Sequence, residues 1–267
     1  TINLATQDQM FQLDNNGNSD GAATYSTNVV VSKVEMYINN IFVNPEVHDI
    51  FIKRIGFSLI RVYREQLQSL QNSSDSILLA KMKWPIETMY VGFRRSSYQT
   101  STASNDKWHT FHGYNSSNTY ALHGIAGCTT ASGTAVAAPP NITANTPLRM
   151  TTNITVTAHG IPLYNGFDTK LFDSYLPFIY GGLNIQAPST PGALMINFAI
   201  YPGTYQPSGH INVSRAREFY LQYIGAKDSD GSTELISSTN PAQLYICASA
   251  INFLLVTDGS AVLRYST

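Results

Sequence analysis

Apolar and polar positions alternate with a period of two over much of this chain. In 194–201, Asn197, Ala199 and Tyr201 interleave with Ile196, Phe198 and Ile200, the pattern of a half-buried strand. Residues 28–38, NVVVSKVEMYI, are β-branched and partly alternating, and predict the first strand of a sheet. Further strands are predicted at 76–83, 86–94, 149–157, 214–223, 243–256 and 261–265. Residues 57–68 fit two readings. Their charges suit a helix, yet Phe57, Leu59, Arg61 and Tyr63 alternate with Ser58, Ile60 and Val62 as in a strand. One short helix is predicted from Asn44-Pro45-Glu46, with Asn as cap, Pro at the first helical position and Glu in the first turn. Val47, Ile50, Phe51 and Ile55 follow at helical spacing, and Gly56 ends the run. Residues 160–182 form a mixed segment with Phe167, Phe172, Tyr175 and Phe178.

Two stretches break the alternation. Residues 1–27 are polar and turn-rich, with Asn15-Asn16-Gly17-Asn18 and Asp20-Gly21, and are expected to be a connector or arm. The remainder, 28–267, is expected to be one domain. Inside it, 96–148 is crowded with Ser, Thr, Asn, Gly and Ala and loses all periodicity. A stretch of that length and character predicts a long surface insertion. No internal repeat is present.

The densest punctuation lies in 201–220, YPGTYQPSGHINVSRAREFY. Pro202-Gly203 ends a strand, Pro207-Ser208-Gly209 makes a second turn, and extended structure resumes at 215. Pro202, Gln206, Pro207, Ser208, Gly209, Asn212, Ser214 and Arg215 form the pattern Pro-x-x-x-Gln-Pro-Ser-Gly-x-x-Asn-x-Ser-Arg. This element resembles one in the last jelly roll of the major capsid proteins of nucleocytoplasmic large DNA viruses. SGHINVSRAREFY and the ending GSAVLRYST resemble most the branch of that family found in African swine fever virus and Faustovirus. KMKWPIETMYVGFR is similar to the family's strand pair around a proline, a residue expected where a strand ends at an edge or corner.

The resemblance settles 57–68 as strand. It implies an all-β fold: an eight-stranded jelly-roll sandwich of two Greek keys, with one short helix and the long insertion, forming the second half of a double jelly roll. It further implies a structural capsid protein. Copies would form homotrimers, pseudo-hexameric capsomers that tile an icosahedral shell over an inner membrane. The implied partners are neighbouring capsomers, the N-terminal jelly-roll half of the same polypeptide and minor capsid proteins. The implied location is the virion, assembled in host cytoplasm. The insertion would rise as a tower on the outer face. Pro202, Gln206, Pro207, Ser208, Gly209, Asn212 and Ser214 would be a structural turn motif.

Composition agrees. Charged residues are only 12% of the 267, against a usual quarter, so much of the surface must be covered by Ser, Thr, Asn, Gln and Tyr or by other protein. Sixteen Tyr and twelve Phe favour strands and interfaces. A net charge of −1 gives no electrostatic case for binding nucleic acid. No apolar run is long enough to span a membrane, and no signal segment is expected. The first residue is Thr, which fits part of a larger polypeptide, a processed product or its ordered portion. Cys128 and Cys247 make no disulfide framework; Cys247, in the apolar run LYICASA, is expected to be a buried free thiol.

Candidate chemistry is sparse. Trp108-His109-Thr110-Phe111-His112, with His123, Cys128 and Asp106, invites a metal site, but helical periodicity and patterned carboxylates are missing there. A cupin enzyme requires His-x-His, which is absent. Ser208 and His210 are neighbours in sequence rather than a triad, and neither glycine-rich phosphate motif occurs. The expectation is therefore no enzyme, no cofactor and no metal. Arginines are scattered through the chain. Arg94-Arg95 at a strand end and Arg215 with Arg217 after the turn are the expected subunit contacts, because the planar guanidinium binds carboxylates and stacks on Tyr. Five sequons stand at Asn72, Asn115, Asn141, Asn153 and Asn212. The alternative function is a jelly-roll attachment domain that binds a receptor or glycan, using Trp108 with Asp106.

Overall fold

The computed structural model describes residues 33–53, 56–99, 110–115, 119–120, 142–143, 146–182, 185–214, 218–228, 231–257 and 260–264. The helix begins where the cap signals place it. In α1 (Pro45–Lys53) the His48 amide donates to the Asn44 carbonyl at 3.0 Å, closing the first turn. The strands follow as β1 (Gly56–Leu70), β2 (Ser74–Leu78), β3 (Pro85–Arg95), β4 (Gly113–Asn115), β5 (Thr119–Tyr120), β6 (Ile142–Thr143), β7 (Thr146–Leu148), β8 (Thr151–Ala158), β9 (Ile161–Asp168), β10 (Ala193–Asn197), β11 (Ile211–Asn212), β12 (Phe219–Gly225), β13 (Ala242–Thr257) and β14 (Ser260–Leu263).

Two antiparallel sheets face each other as a jelly-roll sandwich. Sheet one runs β1-β13-β3-β10, with β11 added to β3 and β14 to β13; sheet two runs β2-β12-β8-β9. Pairs distant in sequence lie side by side: Gly56 is opposite Val256 and Leu70 opposite Ala242 along the whole of β1. Beyond β13, β1 has no other strand partner among the described residues, which makes it an edge strand of the described sheet.

The alternation seen in the sequence places the core. Met89, Val91 and Phe93 of β3 and Leu244, Ile246 and Ala248 of β13 point inward, against Leu221 and Tyr223 of β12 and Ile154 and Val156 of β8. Each such side chain removed from water contributes roughly 1.5–3 kcal/mol. The Phe93 and Tyr223 rings meet across the sandwich with centroids 5.3 Å apart. Its rim is closed by side chains that combine apolar bulk with polar reach. The Arg64 guanidinium lies 3.5 Å from the centre of the Trp84 ring, and Gln66 donates to the Leu78 carbonyl while accepting from the Lys81 amide.

The strand expected over 194–201 stops at Asn197, and beyond it Ala199 is buried while Ile200 and Tyr201 are exposed, because the chain has already turned into the corner; likewise β2 ends at Leu78 and β12 begins only at Phe219. Other features also differ from the sequence reading or add to it. Residues 33–38 are not in a strand but in an exposed segment without regular structure, whose Val34, Met36, Tyr37 and Ile38 side chains stay in solvent; β-propensity without a paired neighbour does not make a sheet. The first five residues of that predicted strand, and the arm at 1–27, lie outside the described residues. Residues 160–182 resolve into β9 followed by helical structure, a π-helical turn (Leu171–Tyr175) leading into α2 (Leu176–Tyr180). Phe172 and Leu176, four residues apart, are buried on the same side, and the buried Asp173 carboxylate holds Arg149 at 2.6 Å. Within 96–148, β4 pairs with β7 and β5 with β6, short ladders that carry no sequence period; most of that insertion lies outside the described residues.

Candidate functional site

The sandwich has two outer faces, and they differ. Residues 74, 76, 153, 155 and 222 give the outside of sheet two a patch of Ser, Asn, Thr and Gln around a hollow of about 280 Å³, with Ile224 at its edge and Leu78 exposed further along the same face. Water satisfies such a patch. On sheet one, Phe57, Leu59, Tyr63 and Leu67 project outward from β1 and remain exposed, Phe57 at 69% and Tyr63 at 70%. Phe57 and Phe253 meet edge to face at 5.9 Å, extending the apolar surface onto β13.

Further along sheet one an apolar hollow of about 210 Å³ opens between Tyr90, Phe111, Pro177, Pro188, Met195 and Tyr245. Its wall depends on a glycine. A Cβ added at Gly92 would stand 2.4 Å from Cδ1 of Phe111, so only glycine lets that ring lie against the sheet.

At the opposite end of the β3–β10 pair stands the corner predicted from the proline and glycine signals. Asn197 ends β10 by turning its side chain onto its own backbone, donating to the Ala199 carbonyl at 2.6 Å and accepting from the Ala199 amide at 3.1 Å. Gly203 takes φ 76°, a conformation that favours glycine. Thr204 Oγ1 lies 2.9 Å and 2.8 Å from the carbonyls of Tyr201 and Gln206, stitching the loop across itself. The Tyr201 amide donates to Ser208 Oγ at 2.7 Å, so the Ser208 oxygen fixes the turn. Asn212 Oδ1 accepts from the Ser214 amide at 3.0 Å.

Beneath this loop lies an ion pair. The register of β3 against β13 slips between Ser249 and Ala250, opposite Thr88 and Ile86, so Glu87 is the extra residue of a β-bulge. The bulge turns its carboxylate to the outer side, where Arg61 of β1 meets it with Nε 2.5 Å from Oε2 and Nη2 3.3 Å from Oε1. The same guanidinium donates to the Thr204 carbonyl at 2.5 Å and the Tyr205 carbonyl at 3.5 Å. Glu87 is only 2% exposed, and its hydrogen bond holds the Arg61 guanidinium above its ordinary pKa.

Sequence reasoning put Arg61 only among scattered arginines. The signal was Glu87 itself, a lone carboxylate in the apolar strand IETMYVGF, which demands a partner. Of the expected interface arginines, Arg94 is half-buried and donates to Gln243 at 2.8 Å within its own sheet, and burial lowers its pKa. Arg95 ends β3 opposite Ala242. Arg215 and Arg217 lie outside the described residues, as do Trp108, His109, His123, Asp106, Cys128 and Asn141. His112 is buried, and among the described residues no group of three His, Cys, Asp or Glu could hold a metal. Cys247 is a free, half-buried thiol whose pKa burial pushes up, which makes it a poor nucleophile. Among the described sequons, Asn153 Nδ2 is engaged with the Gly166 carbonyl at 2.8 Å, whereas Asn72 sits exposed in the turn between β1 and β2. Among the described residues no helix is long and apolar enough to cross a membrane.

Comparison with known proteins brings these features together. The family model for the large eukaryotic DNA virus major capsid protein matches residues 39–262. The chain is similar to the major capsid protein of an African swine fever virus isolate, 44% identical over 245 residues, and to the hexon protein p72 of a second isolate at 45%. Each alignment covers 87% of this chain but 36% of the relative, so the chain spans about a third of the length of these proteins. Among solved structures, the Faustovirus major capsid protein matches at a TM-score of 0.64 with 36% identity, over 82% of this chain and 37% of that one. The PBCV-1 virus capsid matches in fold at 0.57 with 17% identity, over 85% of this chain and 55% of that one.

Proposed function

Because the chain belongs to the family of large eukaryotic DNA virus major capsid proteins, we propose that it builds the shell of such a virus by associating with copies of itself. The subunit forms trimeric, pseudo-hexameric capsomers that tile an icosahedral capsid. Its further partners are an N-terminal jelly-roll half of the same polypeptide, neighbouring capsomers and minor capsid proteins. Assembly takes place in host cytoplasm, and the function uses no catalytic group or cofactor. In this reading 28–267 is the jelly-roll domain, 96–148 its outward insertion and 1–27 a connecting arm.

The observation that supports it best is the inequality of the two outer faces. Around its hollow the outside of sheet two is mostly Ser, Asn, Thr and Gln, with Leu78 and Ile224 as separated apolar exposures. Sheet one leaves Phe57, Leu59, Tyr63 and Leu67 exposed together along one strand, a surface that becomes stable when other protein covers it. Arg95, Arg215 and Arg217 remain proposed subunit contacts; Arg94 contributes through its sheet.

Sedimentation of the purified full-length protein, followed by electron microscopy of what it forms, tests the reading. Trimers that pack into hexagonal arrays are expected. A protein that stays monomeric at micromolar concentration and binds a glycan array instead would overturn it.

A further inference from the structure

We infer that the corner loop 200–206 is an anchor that inserts Tyr205 into the apolar hollow of a second copy of this chain. The inference deepens the self-assembly proposed above and rests on it.

The loop is rigid without being buried. Arg61 ties the Thr204 and Tyr205 carbonyls to Glu87, and Thr204 and Ser208 close the loop from within. Yet the side chain so positioned meets almost nothing of its own chain, since Tyr205 is 94% exposed. A buried ion pair is a costly way to hold a loop and adds little net stability, so its value lies in the geometry it specifies. A solvent-exposed tyrosine on a tied backbone has the qualities of an interface anchor: large contact area, only two side-chain torsions to order, and a polar tip.

The hollow matches that anchor in size and chemistry. A cavity of about 150 Å³ lined by apolar side chains holds one benzene ring. The hollow of about 210 Å³ between Tyr90, Phe111, Pro177, Pro188, Met195 and Tyr245 therefore accommodates the ring of a tyrosine. Both features are free of charge, so neither repels its counterpart.

Their placement decides who enters whom. The hollow lies beside the Gly92–Ala193 end of the β3–β10 pair and the loop beyond the Thr88–Asn197 end, about 13 Å further along the strands. The loop leads away from its own hollow, so the contact joins different patches on two copies, a head-to-tail arrangement that closes into a ring when the rotation allows. The outer face of sheet one thus carries both halves of one joint.

The test uses the full-length protein, mixing isotopically heavy and light copies, with p-benzoylphenylalanine in place of Tyr205. Light-induced cross-links between copies, landing on peptides that contain Tyr90, Phe111 or Met195, are expected. Cross-links to other peptides, or none while the protein associates, would sink the idea. In parallel, Tyr205→Ala should raise the self-association Kd about tenfold or more while leaving the urea midpoint unchanged, and Tyr205→Phe should keep most of the affinity. Met195→Trp, which fills the hollow, should match Tyr205→Ala; a Tyr205→Ala protein that associates like wild type overturns the inference alone. A wild-type protein that never associates overturns the assembly reading and this inference with it.

Discussion

Sheet one and sheet two share a core but differ in how their outsides are covered: sheet one exposes four apolar side chains along a single strand, whereas those of sheet two are spread over β2, β9 and β12. Along β12 and β8, inward Leu221, Tyr223, Ile154 and Val156 alternate with outward Gln222, Asn153 and Thr155, the division expected of an antiparallel sheet with one face in water. β3 obeys no such division. Ile86, Glu87, Thr88 and Met89 are all buried, as are Val91, Gly92 and Phe93, because Phe111 and the corner loop lie over its outer side. The difference teaches that a strand buried on both faces inside a two-layer sandwich marks where the fold has added a third layer. Among the described residues that layer covers β3 and leaves the outside of β1 exposed.

The comparison can be broken or sharpened by substitution. The largest effect belongs to the core that both sheets share. Phe93→Ala removes the ring that meets Tyr223 and should cost about 3–5 kcal/mol in urea unfolding, with one cooperative transition; two separate transitions would show that the sheets do not fold as a unit. Next, Glu87→Ala strips Arg61 of its carboxylate. Because Arg61 keeps some solvent access, the expected loss is about 2 kcal/mol, and hydrogen exchange should quicken at the amides of 201–206 while those of β12 stay protected.

Sheet two has its own sensitive point. Burial, with Asp75 adding to it, pushes the Tyr223 hydroxyl up to about 12, and the hydroxyl donates to the Asn72 carbonyl at 2.7 Å. A folded pKa above the unfolded value of about 10 means that the neutral form is favoured by folding. Its contribution is complete below pH ~10 and is lost as pH rises through ~12, on the order of 1–2 kcal/mol after solvent screening. Tyr223→Phe should flatten that alkaline slope in urea midpoints. The smallest effect on stability is the most telling for function. Leu59→Ser on sheet one should alter folding by less than about 0.5 kcal/mol yet weaken self-association about tenfold, whereas Thr155→Ala on sheet two should change neither. Equal effects of the two on association would erase the distinction between the faces.

Much of this architecture was legible in the sequence because its cause is local. Strand-like runs at 149–157, 214–223 and 243–256 located β8, β12 and β13, and Pro202-Gly203 with Pro207-Ser208-Gly209 marked the corner, although the strand before it ends earlier, at Asn197. The helix at Pro45 was legible for the same reason, since its cap, first turn and stop are neighbours. What escaped depends on partners far along the chain. The helical turns after β9 are stabilised by Arg149, 24 residues before Asp173, and by Tyr164 stacking on Phe172 at 5.3 Å. Residues 33–38 have strand composition but pair with no strand among the described residues. The Arg61–Glu87 pair bridges 26 residues and needs a bulge that no propensity announces. The resemblance carried by 201–220 supplied the family, but it gave no hint that the motif's Tyr205 would stand clear of the fold.

The outer edge of β1 sets a clock. The edge of β1 that faces away from β13 meets no strand among the described residues and lies beside exposed Phe57, Leu59 and Tyr63, the kind of edge that pairs with an extended chain from a finished neighbour and from a half-made copy alike. Correct pairing is limited by how fast finished copies find one another, while stray pairing grows with every nascent or unfolded strand nearby. The interval between synthesis and incorporation is therefore as consequential for such a subunit as its stability, and a cell that makes it abundantly must keep that interval short or shield the strand until a neighbour arrives.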